Sequence, residues 1–318
     1  MHTSVRKERE VRQIKADKLN KKTSYKTKEI RTESHIRTTR QYRQRRNVGG
    51  KRGNDLYCPG ICRCYFTTPK LEVSCGDMFD QEMKNFQSVP LIPKGTEILS
   101  LQLKFHRLSS HMFSRLNMLQ SLTLALGETA TLTGRSRYTE IKVIDEQSFT
   151  GMNSLKDLQL FCIILSNITL QYQLSDAFKH IRNLKKLMLF DCLLNSFPTD
   201  VLRYLKSLEE INVASNKIEH IKINQSTQPL RHVKIIDMGF NSISFIHPSL
   251  YIFLPNLTNM NLTHNSIRNL SMLSFDSWPH SQLQVLDLDF NPIYFVRNGT
   301  FKHLSQLNTL HLVSLWTP

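Results

Sequence analysis

The chain has 318 residues, with 42 Lys and Arg against 26 Asp and Glu, a formal net charge of +16, and 40% hydrophobic residues. That length and apolar content suffice for an ample core and exclude a wholly disordered chain. No run approaches the roughly 18–20 uninterrupted apolar residues of a membrane-spanning helix, while the charge taken whole points to a nucleic-acid partner.

The charge is unevenly placed. Residues 1–57 hold 18 Lys and Arg against 6 Asp and Glu, a net +12; residues 58–318 hold 24 against 20, a net +4. The first segment has too few apolar residues to bury against anything, so a disordered basic tail is expected over 1–57. Its first 40 residues carry no apolar stretch of the secretory-signal kind. Arg43, Arg45 and Arg46 form an Arg-x-Arg-Arg run. That run reads as a solvated extension, as a furin-type processing site, or as a nuclear-localisation or RNA-binding patch. The folded remainder is near neutral and is expected to take no nucleic acid.

Residues 58–93 follow, with Cys58, Cys62, Cys64 and Cys75 spaced Cys-x3-Cys-x-Cys-x10-Cys. No His or Cys-x2-Cys pair supplies the usual zinc spacing. The cluster stands directly before a repeat, where a solenoid needs its first apolar turn covered, and a compact disulfide cap does this without a core of its own.

The repeat occupies 94–318. The pattern Leu-x-x-Leu-x-Leu-x-x-Asn-x-Leu fits Leu208-Ile211-Val213-Asn216-Ile218 and Val233-Ile236-Met238-Asn241-Ile243. It fits again at Leu257-Met260-Leu262-Asn265-Ile267 and Leu283-Leu286-Leu288-Asn291-Ile293. Leu184-Leu187-Leu189-Cys192-Leu194 puts Cys at the Asn position. Weaker copies begin at Ile98, Leu119 and Leu155, and an incomplete one at Leu307, making about nine with a period of 24–26 residues where the pattern is clear. This is the signature of a leucine-rich repeat.

The spacing predicts an α/β solenoid, a horseshoe with a parallel concave sheet. Leu-x-Leu sets two side chains on the inward face of a short strand, and the Asn amide bonds to backbone groups where the chain turns away. Cys192 has less hydrogen-bonding capacity, so a weak point in the asparagine ladder is expected there. Phe113, Phe149, Phe178, Phe275 and Phe301 recur on the return stretches as an outer core spine.

The outward strand positions are free to vary and are the candidate ligand contacts. At mid-strand they read Gln102, Thr123, Gln159, Met188, Asn212, Asp237, Asn261, Asp287 and His311, with Phe161 and Phe190 in the next row. Mixed polar residues with exposed Phe and Met suit protein contact; the alternative is a solvated sheet face. The insertion 126–140 should loop out and present Arg135, Arg137 and Tyr138. Cys162 and Cys192 fall in consecutive repeats with mismatched directions, which favours two thiols.

Six Asn-x-Ser/Thr sequons, at Asn167, Asn224, Asn256, Asn261, Asn269 and Asn298, lie in the repeats and none in the tail. Together with a disulfide cap they favour the secretory route. A glycan on Asn261 would block part of the concave face. The sequence stops mid-repeat at Trp316-Thr317-Pro318, which reads as a fragment, a truncated product or part of a larger receptor. No phosphate loop, His-Glu-x-x-His or nucleophile-elbow motif occurs, so neither enzyme activity nor a cofactor or metal is expected.

The segment CPGICRCYFTTPKLEVSC, followed by Phe86-Gln87-Ser88-Val89-Pro90 and Ile92-Pro93, resembles the N-terminal cysteine cap of extracellular leucine-rich repeat proteins. Nogo receptors, Slit proteins, small leucine-rich proteoglycans and some Toll-like receptors carry such a cap. The resemblance implies pairing of Cys58 with Cys64 and of Cys62 with Cys75. The wording Leu286-Asp287-Leu288-Asp289-Phe290-Asn291 is similar to Toll-like receptor repeats. It implies an extracellular or cell-surface module that binds a protein or microbial ligand on its concave or lateral face, with dimerisation a further expectation. Two other readings stay open: an adhesion or matrix protein, and an intracellular scaffold whose basic tail binds nucleic acid.

Overall fold

The computed structural model describes residues 58–313 except 60–61, 68–69, 77–88, 103–106, 126–140, 142, 162–167, 222, 224–226, 272–273, 276–277 and 279–280. The chain forms two units, Met1–Asp55 and Leu56–Pro318, and all described residues belong to the second. The basic tail with Arg43, Arg45 and Arg46, the insertion with Arg135, Arg137 and Tyr138, and Cys162, Asn167 and Asn224 lie outside the described residues.

In chain order the strands are β1 (Cys62–Thr67), β2 (Lys70–Cys75), β3 (Thr96–Gln102), β4 (Arg107–Leu108), β5 (Ser121–Ala125), β6 (Val143–Ile144), β7 (Asp157–Phe161) and β8 (Lys186–Phe190). Then come β9 (Glu210–Asn212), β10 (Ile235–Asp237), β11 (Asn259–Asn261), β12 (Asn269–Leu270), β13 (Val285–Asp287), β14 (Phe295–Val296) and β15 (Thr309–His311). One sheet runs β1-β2-β3-β5-β7-β8-β9-β10-β11-β13-β15. Only its β1–β2 hairpin is antiparallel; the nine strands from β3 onward run parallel, each a repeat apart. The horseshoe sheet expected from the spacing is present.

Alternation does the folding work. In β5 and β7 every second residue is buried, and the inward residues Leu99, Leu122, Leu158, Leu187, Ile211, Ile236, Met260 and Leu286 are at most 1% exposed. On the return side Phe113 stacks on Phe149 at 6.2 Å, and Phe149 meets Phe178 at 5.7 Å. Phe275 and Phe301 also pack, at 5.7 Å. Phe253 and Trp278 join this apolar spine, the latter edge-on to Phe275.

The asparagines close each turn as the pattern requires. Asn216, Asn241, Asn265 and Asn291 are buried. Each Nδ2 donates to a carbonyl of the preceding turn and to carbonyls of its own turn, and each Oδ1 accepts an N–H from the turn before. Cys192 is fully buried as a thiol. Its Sγ lies within donating reach of Leu160 O at 3.5 Å and Phe190 O at 3.4 Å, so its single hydrogen supplies part of the asparagine's donor role over longer distances.

The cap is a hairpin bound by Cys58–Cys64 and Cys62–Cys75. Cys62 and Cys75 are direct cross-strand partners, with Cα atoms 4.0 Å apart. β2 then pairs in parallel with β3, covering the first repeat's edge. Gly76, at φ +94°, permits this approach: a Cβ there would stand 2.4 Å from Gln102 O.

Candidate functional site

The concave face is one continuous register. Ser100, Thr123, Gln159, Met188, Asn212, Asp237, Asn261, Asp287 and His311 are successive partners across the parallel strands. Gln102 is the exception among the expected mid-strand residues: it pairs with Ala125 and belongs to the next row, with Phe161 and Phe190. The cause is Thr96. It is fully buried at the position of the first leucine, its hydroxyl donating to Pro93 O at 2.8 Å, so Ile98 belongs to the outward face and does not begin the repeat.

Four of the mid-strand residues also have a structural task. Oδ1 of Asn212, Asp237, Asn261 and Asp287 accepts the N–H two residues on, from Ala214, Gly239, Thr263 and Asp289, at 2.9–3.0 Å. This side-chain turn guides the chain off the strand. It explains why Asn and Asp alternate there; across the face, Asn212 Nδ2 donates to the second oxygen of Asp237 at 3.4 Å.

The face divides by chemistry. Toward the N-terminal side Phe161 and Phe190 pack at 5.9 Å, beside half-buried Met188 and Gln159. Toward the C-terminal side the outward rows carry the half-buried Asp237, Asp287 and Asp289. Glu210 also lies there, paired with Lys186 at 2.7 Å. From Glu210 to Val313, no Lys or Arg occupies these three outward rows. Burial first, then repulsion from Asp287 and Glu210, holds the Asp237 carboxyl above its ordinary value, although the Gly239 N–H opposes the shift.

A testable stability effect follows. The native Asp237 carboxyl binds its proton more tightly than the unfolded chain does, so its charge costs stability as pH rises through that raised range. Asp237→Asn keeps the acceptor and removes the charge. Thermal unfolding is expected to show the variant more stable than wild type at pH 7, with the gap closing as pH falls toward 3.8. A gap that widens on acidification would contradict this.

Asp287, Asp289 and His311 bring one potential metal-ligand atom each to within 4.8 Å of one another. One oxygen of each carboxylate is committed to backbone: Asp287 to Asp289 N–H and Asp289 to Val313 N–H.

Sequence inspection missed an aromatic row. Phe240, His264 and Phe290 occupy the residue just before the ladder asparagine in consecutive repeats, all at φ 52–58°. Backbone pairing continues through them, since Phe240 N–H donates to Thr263 O and His264 N–H to Asp289 O. Strand spacing of about 4.8 Å therefore sets the rings face to face, at 4.3 Å and 4.4 Å. Phe240 is 56% and Phe290 37% exposed. The signal was present in Phe240-Asn241, His264-Asn265 and Phe290-Asn291.

Of the described sequons, Asn256, Asn269 and Asn298 are exposed. Asn261 is half-buried on the concave sheet, its side chain engaged by Thr263 N–H. Peptide mapping of protein secreted by animal cells should find glycan at the first three and none at Asn261. Full occupancy of Asn261 would refute that.

A parallel ladder lined with leucine and closed turn by turn with buried asparagine defines the chain as a leucine-rich repeat protein. No protein-family model matches it. It is 26% identical over 252 residues to the transforming growth factor beta activator LRRC33 of Danio rerio, covering 69% of this chain and 34% of that protein. It is 32% identical over 124 residues to Toll-like receptor 4 of Bos taurus, covering 38% and 11%. Tsukushi of Rattus norvegicus is 27% identical over 169 residues, covering 52% and 45%. The chain thus spans well under two thirds of each of these relatives. Among solved structures, the TLR13–ssRNA13 complex superposes with a TM-score of 0.45 at 21% identity, over 70% of this chain and 26% of that one. Internalin C2 of Listeria monocytogenes gives 0.44 at 20%, over 63% and 74%. Among the described residues no helix is long and apolar enough to cross a membrane.

Proposed function

We propose that the chain is an extracellular ligand-recognition module that binds a protein through the concave face of its sheet. The observation carrying this reading is the continuous register of outward side chains, from Ser100 to His311, set on a rigid scaffold. Outward-facing aromatic and Met side chains among polar neighbours are the composition of protein-contact surfaces. The acidic C-terminal side disfavours a phosphate backbone as ligand. The cap disulfides and the sequons support a secretory-route location. Similarity to Toll-like receptor 4 supports a receptor of that type, and a microbial ligand is the corresponding alternative to a host protein.

The test is a screen of the full chain against secreted and cell-surface proteins, repeated with Met188→Glu and with Phe161→Ser/Phe190→Ser. These sites are half-buried and outward, so the variants should fold. A partner found with wild type is expected to bind at least about tenfold more weakly to one of them, as central contacts do. Partners that ignore every concave substitution would defeat the reading.

A further inference from the structure

The C-terminal half of the concave face has two features that its fold does not require. Asp237, Asp287 and Asp289 present carboxylates without an intervening Lys or Arg in the outward rows. Asn212 and Asn261 show that a neutral side chain makes the turn of Asp237 and Asp287, so their charge is additional to that task; Asp289 accepts the Val313 N–H and lies 3.8 Å from His311 Nδ1. Phe240, His264 and Phe290 form an exposed stack at a position where Asp191 and Ser215 suffice in the preceding repeats. Between the Asp237–Asp287 row and the aromatic row stand Ala214, Gly239, Thr263 and Asp289. Gly239 is hemmed in: a Cβ would lie 2.9 Å from Thr263 Oγ1 and 3.2 Å from Asp237 Oδ1. Ala214, Gly239 and Thr263 are small, so the strip between charge and aromatic carries no long side chain before Asp289.

Resting on the recognition reading above, we propose that this half of the face docks a basic protein segment. The Lys or Arg heads of that segment meet Asp237, Asp287 and Asp289, and its aliphatic stems and apolar residues lie along the Phe240–His264–Phe290 stack. Carboxylates crowded on a partly buried sheet gain most from a cation that neutralises several of them together. Long basic side chains carry apolar stems that pack against aromatic rings while the heads stay with the charges. Nucleic acid and acidic peptides are excluded from this half by like charge.

The test uses the full chain and a fluorescein-labelled twelve-residue peptide of alternating Arg and Leu. Asp237→Asn/Asp287→Asn/Asp289→Asn is expected to weaken binding about tenfold or more and to flatten its salt dependence. Phe240→Ser/Phe290→Ser is expected to weaken it about fivefold with the salt dependence kept. Glu146→Gln/Glu219→Gln, at exposed sites away from these rows, should leave it unchanged. The Asn variants preserve the turn acceptors, and melting curves confirm folding; if the triple variant unfolds, the Phe pair and the salt dependence decide alone. Wild-type affinity in the Asp and Phe variants, equal loss in the Glu variants, or a glycan filling Asn261 would overturn the proposal. A natural partner sensitive to Phe161→Ser/Phe190→Ser but indifferent to the Asp triple overturns it too, while leaving the recognition reading intact. Indifference to all concave substitutions removes both.

Discussion

Asn265→Ala is expected to cost about 3 kcal/mol, seen as a fall of about 6–12 °C in melting temperature. The side chain is buried and works at both ends. Nδ2 donates to Met238 O at 3.0 Å, Leu262 O at 3.1 Å and Thr263 O at 3.2 Å, while Oδ1 accepts Ile243 N–H at 2.9 Å. Alanine strands a buried N–H and deprives carbonyls on two turns. Asn265→Cys should cost roughly half as much, because Cys192 already shows a thiol within donating reach of the corresponding carbonyls while lacking the amide's strong acceptor. Equal melting temperatures for Asn265→Ala and wild type would show that the ladder is not what joins the turns.

Removing the Cys62–Cys75 bridge by a double Ser substitution is expected to cost about 3 kcal/mol. The bridge ties together the two strands of the cap, and Cys75 is wholly buried. Because β2 covers the edge of β3, the damage should start there and expose Leu99 and Leu101. In a solenoid each turn supports chiefly its neighbours, so faster amide exchange should be confined to β3 and β5, with β11 and β13 unaffected. The Cys58–Cys64 bridge closes a shorter loop, six residues against 13, and its loss should matter less. Uniformly faster exchange along the whole ladder would contradict the nearest-neighbour account.

How much the sequence disclosed depended on whether one residue type could satisfy one position. Inward Leu, Ile, Val and Met and the asparagines have few substitutes, so their spacing gave the repeat and its register from 119 onward. Thr96 broke the pattern at the first turn, since a hydroxyl bonded to Pro93 O can replace a leucine there; this shifted Gln102 by one row. Outward residues obey no such rule. Asn212, Asp237, Asn261 and Asp287 looked purely like ligand contacts, although each also makes a turn by hydrogen bonding its own backbone. The Phe240–His264–Phe290 stack escaped notice because it depends on side chains a full repeat apart being brought within 4.4 Å by the strand ladder.

Hydroxyl-radical footprinting of the full chain, alone and with a bound protein partner, tests the concave-face account most directly. Phe161, Met188, Phe190, Phe240 and Phe290 report the concave sheet and its edge. Phe245, Tyr294 and Phe295, at 43%, 58% and 52% exposure, report the surface outside that sheet. The account predicts that the partner slows oxidation in the first set and leaves the second unchanged. Protection of Phe245, Tyr294 and Phe295, with the first set oxidised as fast as in the unbound protein, would contradict it.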